Sequence, residues 1–105
     1  MNNHSAVALV PTSHASRYLQ QLAKHWSHKF PVDFTPTNGT ITFPKEVNGT
    51  SFAGGAVLRL YATETALEVR IEASELRQLE GAKGAVASHL DRFAFREAPL
   101  QFDWR

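Results

Sequence analysis

The stretch "HASRYLQQLAKHWSHKF", residues 14–30, holds three of the chain's five histidines, with Arg17, Lys24 and Lys29, and no acidic residue. Imidazole ligates metals and titrates near neutrality, while arginine and lysine recognise carboxylates and phosphates. Metal binding, anion binding and acid–base work are therefore the chemistries this segment could carry. In a helix His14 and His25 nearly eclipse but lie ~16 Å apart along the axis, too far to share an ion. His25 and His28, three positions apart, can converge on one ligand. Two imidazoles leave a zinc site short of ligands, so His89, further down the chain, is the candidate third.

Anion recognition draws on other residues. Ser13 and the free N–H groups of a following helical turn would form an anion site, with Arg17 close to it. In "HLDRFAFRE", residues 89–97, Arg92 and Arg96 are four positions apart and could fork a carboxylate or phosphate. Asp91 and Glu97 beside them are the alternative, internal partners. The stripe of His14, Tyr18, Gln21, His25 and His28 also fits the polar rim of a packed helix. Lys24 and Lys29 fit the negative end of its dipole. No Ser-His-Asp order, glycine-rich phosphate loop or paired-carboxylate motif stands out, which weighs against an enzyme.

These residues need elements to position them. Residues 5–10, "SAVALV", read as a strand, and Ser13 as the N-cap of a helix over about 14–29. Ala15, Tyr18, Leu19, Leu22, Ala23 and Trp26 recur at helical spacing, and Pro31 stops the run. Short strands around "VDF" and "TITFP" flank Asn38-Gly39, a hairpin-turn signal; Asn48-Gly49 marks a second turn or loop. "AVLRLYA" (56–62) and "ALEVRIEA" (66–73) are strands, the second strictly alternating. Ser74 would cap a helix from 75 to about 94, with Leu76, Leu79, Val86, Leu90 and Phe93 as its apolar stripe. Gly81 and Gly84 inside it imply close backbone packing or a break at "GAKG". "LQFDW" (100–104) alternates as a last strand.

The order β-α-β-β-β-β-α-β points to an α+β two-layer sandwich: a mostly antiparallel sheet of five to six strands with two helices on one face. At 105 residues this is a single domain, 1–105, large enough for one core. The absence of cysteine excludes disulfides, thiolate ligands and thiol nucleophiles. No apolar run approaches the ~20 residues of a membrane span. The opening "MNNHSAVALVPTSHAS" lacks the basic flank of a signal peptide, so a cytoplasmic location is the expectation. The net charge of +1 conceals an asymmetry: residues 1–45 carry four Lys/Arg against Asp33 alone, and residues 46–105 carry seven against nine acids. A field this modest argues against nucleic acid. The mixed-charge outer sheet face, with Val57 and Tyr61, suits a homodimer surface.

"ASRYLQQLAKHWSHKFPVDF" and "SHLDRFAFREAPLQFDW" resemble a bacterial family, domain of unknown function 2218. The resemblance covers nearly the whole chain. It rests on Ala15-Ser16-Arg17-Tyr18-Leu19, Leu22 to Lys29, His89 to Glu97, and Trp104. The family has no assigned activity. Its members tend to occur beside siderophore-interacting, flavin-containing ferric reductase-like proteins, so the resemblance implies an accessory role in iron-siderophore utilisation. The expectation is a binding protein for a small anionic ligand or a siderophore-interacting partner, acting through Arg17, Tyr18, His25, Arg92 and Arg96. The alternative is a metal-dependent protein with His25, His28 and His89 as ligands. No particular cofactor is implied.

Overall fold

The computed structural model describes residues 4–105. Strand β1 (His4–Pro11) leads to helix α1 (Ala15–Ser27), then to strands β2 (Val32–Phe34) and β3 (Asn38–Phe43). A small hairpin, β4 (Glu46–Val47) and β5 (Thr50–Ser51), precedes β6 (Ala56–Ala62), β7 (Ala66–Ala73) and helix α2 (Leu76–Phe93). The main sheet is five-stranded in the order β1-β7-β6-β3-β2, and every neighbouring pair is antiparallel.

Register explains the layering. Ile41 lies opposite Leu58, Leu58 opposite Ile71, and Ile71 opposite Ala6; Leu60 lies opposite Val69, and Val69 opposite Ala8. Because strand side chains alternate, these pairs all fall on one face. Both helices cover that face: α1 rests on β2, β3, β6 and β7, and α2 on β7 and β1, touching α1 alongside. Leu19, Leu22 and Leu90 enter the core from the helices and are fully buried. Each such side chain contributes roughly 1.5–3 kcal/mol by leaving water. The opposite face is open. It carries the Arg59–Glu72 ion pair, with Tyr61 and Leu9 exposed.

Several local expectations are corrected. Ser13 does not cap α1; the N-cap is His14, without a side-chain cap, and its N–H donates to Thr12 Oγ1 at 3.1 Å. Ser74 does not cap α2 either. The N-cap is Glu75, and Gln78 Oε1 reaches back to accept from Ser74 N at 2.8 Å. Gln78 Nε2 also donates to Gly54 O at 2.9 Å, tying the helix start to the β5–β6 loop. Asn38-Gly39 is no turn but the start of β3, with Phe34 opposite Gly39; the reversal sits at 35–37, where Thr35 N bonds Asn38 O. Gly39 lies beneath Leu19, where a Cβ would meet Leu19 Cδ2 at 3.4 Å, an ordinary contact distance. Asn48-Gly49 is the true two-residue turn, with φ of 52° and 81° joining β4 to β5.

The final strand is also absent. Residues 100–104 run extended beside β1, but only Arg105 and Val7 exchange backbone hydrogen bonds, at 2.8 and 2.9 Å. Leu100 N donates instead to Asp91 Oδ1 at 2.9 Å, which holds the tail against the end of α2. The alternation survives without the ladder: Leu100 is buried, Phe102 and Trp104 pack on the core, and Gln101 and Asp103 are exposed.

At "GAKG" the helix neither breaks nor packs closely. It is continuous, and a Cβ at Gly81 or Gly84 would meet nothing within 4 Å. Gly81→Ala and Gly84→Ala should therefore each stabilise the fold by up to ~1 kcal/mol in urea unfolding, through helix propensity alone. Gly55→Ala should do the reverse, because its Cβ would stand 2.7 Å from the Phe43 carbonyl oxygen.

Candidate functional site

Where α1 ends before Pro31, it leaves part of the layer above the sheet uncovered, and the β4–β5 hairpin folds up beside the gap. The result is an open groove of about 690 Å³ between the end of α1, the middle of α2 and the hairpin. Trp26, Phe30, Phe43 and Phe52 form its walls, and Gly81, Ala82 and Ala85 of α2 form a small-residue flank. His25, His28, Lys29 and His89 stand around it, and none of its described lining residues is acidic.

The walls are an interlocked ring cluster. Phe43 meets Trp26 edge-on at 5.2 Å and Phe30 at 4.9 Å, while Trp26 lies 5.0 Å from the His89 ring. His89 in turn lies 5.1 Å from His25, whose other side meets Phe93 at 5.9 Å. Lys29 Nζ donates to Asn48 Oδ1 at 3.0 Å and stands 5.5 Å from the Phe30 ring centroid, closing one end of the groove onto the hairpin turn. At the hairpin's other end the Arg77 guanidinium lies over Phe52 at 4.8 Å.

His25 is held below the usual imidazole range, first by partial burial and then by the positive charges of His89, Arg92 and His28. It is therefore neutral at neutral pH, with lone-pair capacity. The rim cations have few partners. Among the described residues, Arg17, Lys24, Lys29, Arg92 and Arg96 form no ion pair; the pairs present use Arg59, Arg70, Arg77, Lys83 and Arg105. Asp91 and Glu97 do not neutralise Arg92 and Arg96, because both are engaged elsewhere.

Glu97 forms a clasp. It accepts a short hydrogen bond from the Tyr18 hydroxyl, and Thr12 Oγ1 lies 3.0 Å from both its oxygens. Tyr18 is thus committed to joining α1, β1 and the C-terminal segment, and its hydroxyl is not free for a ligand. Arg17 lies apart from the groove, in a smaller hollow of about 460 Å³ with Ser13, Ser16 and Glu64 at the other end of α1. Arg96 is exposed, 5.6 Å from the Phe95 ring centroid. Of the expected residues, then, the groove unites His25, His28 and His89, Arg92 acts on it through His25, and Arg17, Tyr18 and Arg96 lie outside. Among the described residues no three His, Cys, Asp or Glu side chains converge as a metal-ligand set. The three-histidine set reduces to a contacting pair, His25 and His89, with His28 on the rim. No helix among them is long and apolar enough to cross a membrane.

Phe43, Phe52, Ala82 and Ala85 escaped the sequence reading, and Phe30 and Gly81 were read there only as the apolar end of the first helix and as a packing or break signal. The two glycines inside a helix were the available signal, together with the Asn48-Gly49 turn that builds the outer wall.

The fold is a small α+β unit with both helices on one face of an antiparallel sheet. The chain belongs to the family described as uncharacterized proteins conserved in bacteria, DUF2218, whose profile matches residues 7–105. It is similar to PA4090 from Pseudomonas aeruginosa, whose structure was determined by NMR: 28% identity, TM-score 0.76, covering 100% of this chain and 96% of that one. No curated protein matches it.

The clasp makes a pH prediction. Glu97 titrates below its ordinary value of 4.5, chiefly through the Tyr18 hydrogen bond; burial opposes this, and Thr12 and the His14 charge add to it. A depressed carboxylate contributes stability above its unfolded pKa and loses it as pH falls through the folded value. Tyr18 is shifted above 10.0, first by burial and then by Glu97, so its contribution is lost as pH rises through its folded value. Urea unfolding between pH 6 and ~3 should show falling stability, and Glu97→Gln should flatten that slope while lowering the plateau.

Proposed function

We propose that this protein is a non-enzymatic binding module whose groove takes a small anionic molecule with a planar, aromatic body. The observation that carries this is the pairing of aromatic walls with an acid-free cationic rim in one cavity. Its volume of about 690 Å³ falls within the ~300–1,000 Å³ typical of ligand pockets, which are mostly apolar with a few convergent polar groups. The ring faces of Trp26, Phe30 and Phe43 supply the stacking surface. Lys29 and His28 supply donors for the anionic group, and Arg92 raises the potential at the His25 end. Arg17 on α1 and Arg96 just beyond α2, neither in an ion pair among the described residues, extend a positive field that steers anions toward the molecule. The genomic neighbourhood of the family implies a ferric siderophore, or a partner that handles one. Flavins and aromatic carboxylates share the same chemical description.

The test is calorimetric titration with flavin mononucleotide, a ferric catecholate siderophore and a naphthoate, against wild type and Gly81→Leu. Gly81 lines the groove and its Cβ direction is open, so leucine adds bulk there without a backbone clash. The variant should fold and melt no lower than wild type, yet lose binding. Lys29→Ala should weaken binding roughly tenfold, as expected for a lost charge-assisted hydrogen bond. No binding of any probe by wild type, or unchanged binding by Gly81→Leu, would sink the reading.

A further inference from the structure

We infer that the groove's occupant is a metal chelate: an anionic chelator carrying a divalent first-row ion with two adjacent open positions, which His25 and His89 fill. The inference rests on the anion-binding half of the groove reading, its cationic rim, and does not require the aromatic body.

The geometry comes first. The two ring centroids stand 5.1 Å apart, with the ring planes tilted by 48°. Two imidazoles bound to one ion through metal–nitrogen bonds of ~2.0–2.1 Å place their centroids about 5 Å apart. His89 Nδ1 lies 2.7 Å from the Ala85 carbonyl oxygen. A carbonyl can only accept, so Nδ1 donates there and Nε2 is the ring nitrogen left to face a ligand. A ligating histidine is commonly fixed by a hydrogen bond of this kind. Trp26 on one side of His89 and Phe93 on the far side of His25 hold the ring planes. Imidazole suits copper, nickel and zinc.

The surroundings then say what brings the ion. Among the described residues no carboxylate or thiol lines the groove to complete a resident site, so the protein supplies two ligands and the rest arrive with the metal. Lys29, His28 and Arg92 repel a bare dication at this position but attract a complex whose net charge is negative. Ligand count and electrostatics therefore select the same species.

The experiment uses the full chain without a histidine tag and four probes: Ni²⁺–nitrilotriacetate, Ni²⁺–EDTA, Ni²⁺ alone and metal-free nitrilotriacetate. The first is an anion with two adjacent open positions; the second is an anion with none. Calorimetry should show one equivalent of the nitrilotriacetate complex bound at least ~tenfold more tightly than any other probe, and His25→Ala and His89→Gln should each weaken it by ~tenfold or more. Equal binding of the EDTA complex would mean charge attraction only, and equal binding of bare Ni²⁺ would mean the rim does not discriminate; either overturns the inference. So does a loss on His28→Ala that His89→Gln does not share, which would place the ligands on α1 alone. The wild-type comparison decides the matter even where a variant fails to fold. If wild type binds the aromatic anions and shows no preference for the nitrilotriacetate complex, the groove reading stands and this inference falls. If it binds none of the probes in either experiment, both fall.

Discussion

The sheet directs its large apolar side chains to one face, and the need to cover that face shapes the rest of the molecule. Five strands at ~4.8 Å spacing make a surface about 20 Å across, and helices pack ~8–10 Å apart, so two side by side are needed. Chain order decides which helix goes where. Because β1 and β2 lie on opposite edges, α1 must cross the sheet between them, over β7, β6 and β3. α2, leaving the end of β7, can cover only the remaining side, over β7 and β1. The groove follows from this crossing. α1 stops at Ser27, before Pro31, and the space beyond its end is walled by the rings of Phe30 and Phe43 and by the β4–β5 hairpin.

Much of this was legible because periodicity is a direct signature of one-sided burial. "ALEVRIEA" alternates in the sequence and alternates in the sheet, with Leu67, Val69 and Ile71 all fully buried. The α1 residues at helical spacing are the ones the core receives. What failed was local. Capping by Ser13 and Ser74 depended on side-chain geometry that Thr12 and Gln78 took over. Asn38-Gly39 has the composition of a turn, but pairing with Phe34 on one side and with Leu60 and Tyr61 on the other placed it inside a strand. The last strand failed because alternation reports burial, not hydrogen bonding: a tail can point Leu100 inward while its N–H goes to Asp91.

The site was half legible for a related reason. Residue types announced themselves, so His25, His28 and His89 could be picked out, but their neighbours could not. Glu97 looked like a partner for Arg92 or Arg96 by proximity in sequence; in space it serves Tyr18 and Thr12, some 80 positions earlier. That exchange has an electrostatic consequence. With Glu97 drawn inward and Asp91 bonded to the backbone, Arg92 and Arg96 have no ion-pair partner among the described residues.

The glycines of α2 bear on whether the groove is a site or an accident of packing. A glycine inside a helix costs about 1 kcal/mol relative to alanine. Such a cost is ordinarily offset by a close backbone contact, and Gly55, against the Phe43 carbonyl, shows that this fold uses glycine in that way. Gly81 has no such contact: its missing side chain faces open space, and that space is the groove. Ala82 and Ala85 continue the same low flank opposite the aromatic wall. Local rules broken without a structural return tend to mark functional positions. A larger residue at 81 would strengthen the helix and fill part of the cavity, so the glycine there leaves the groove its width.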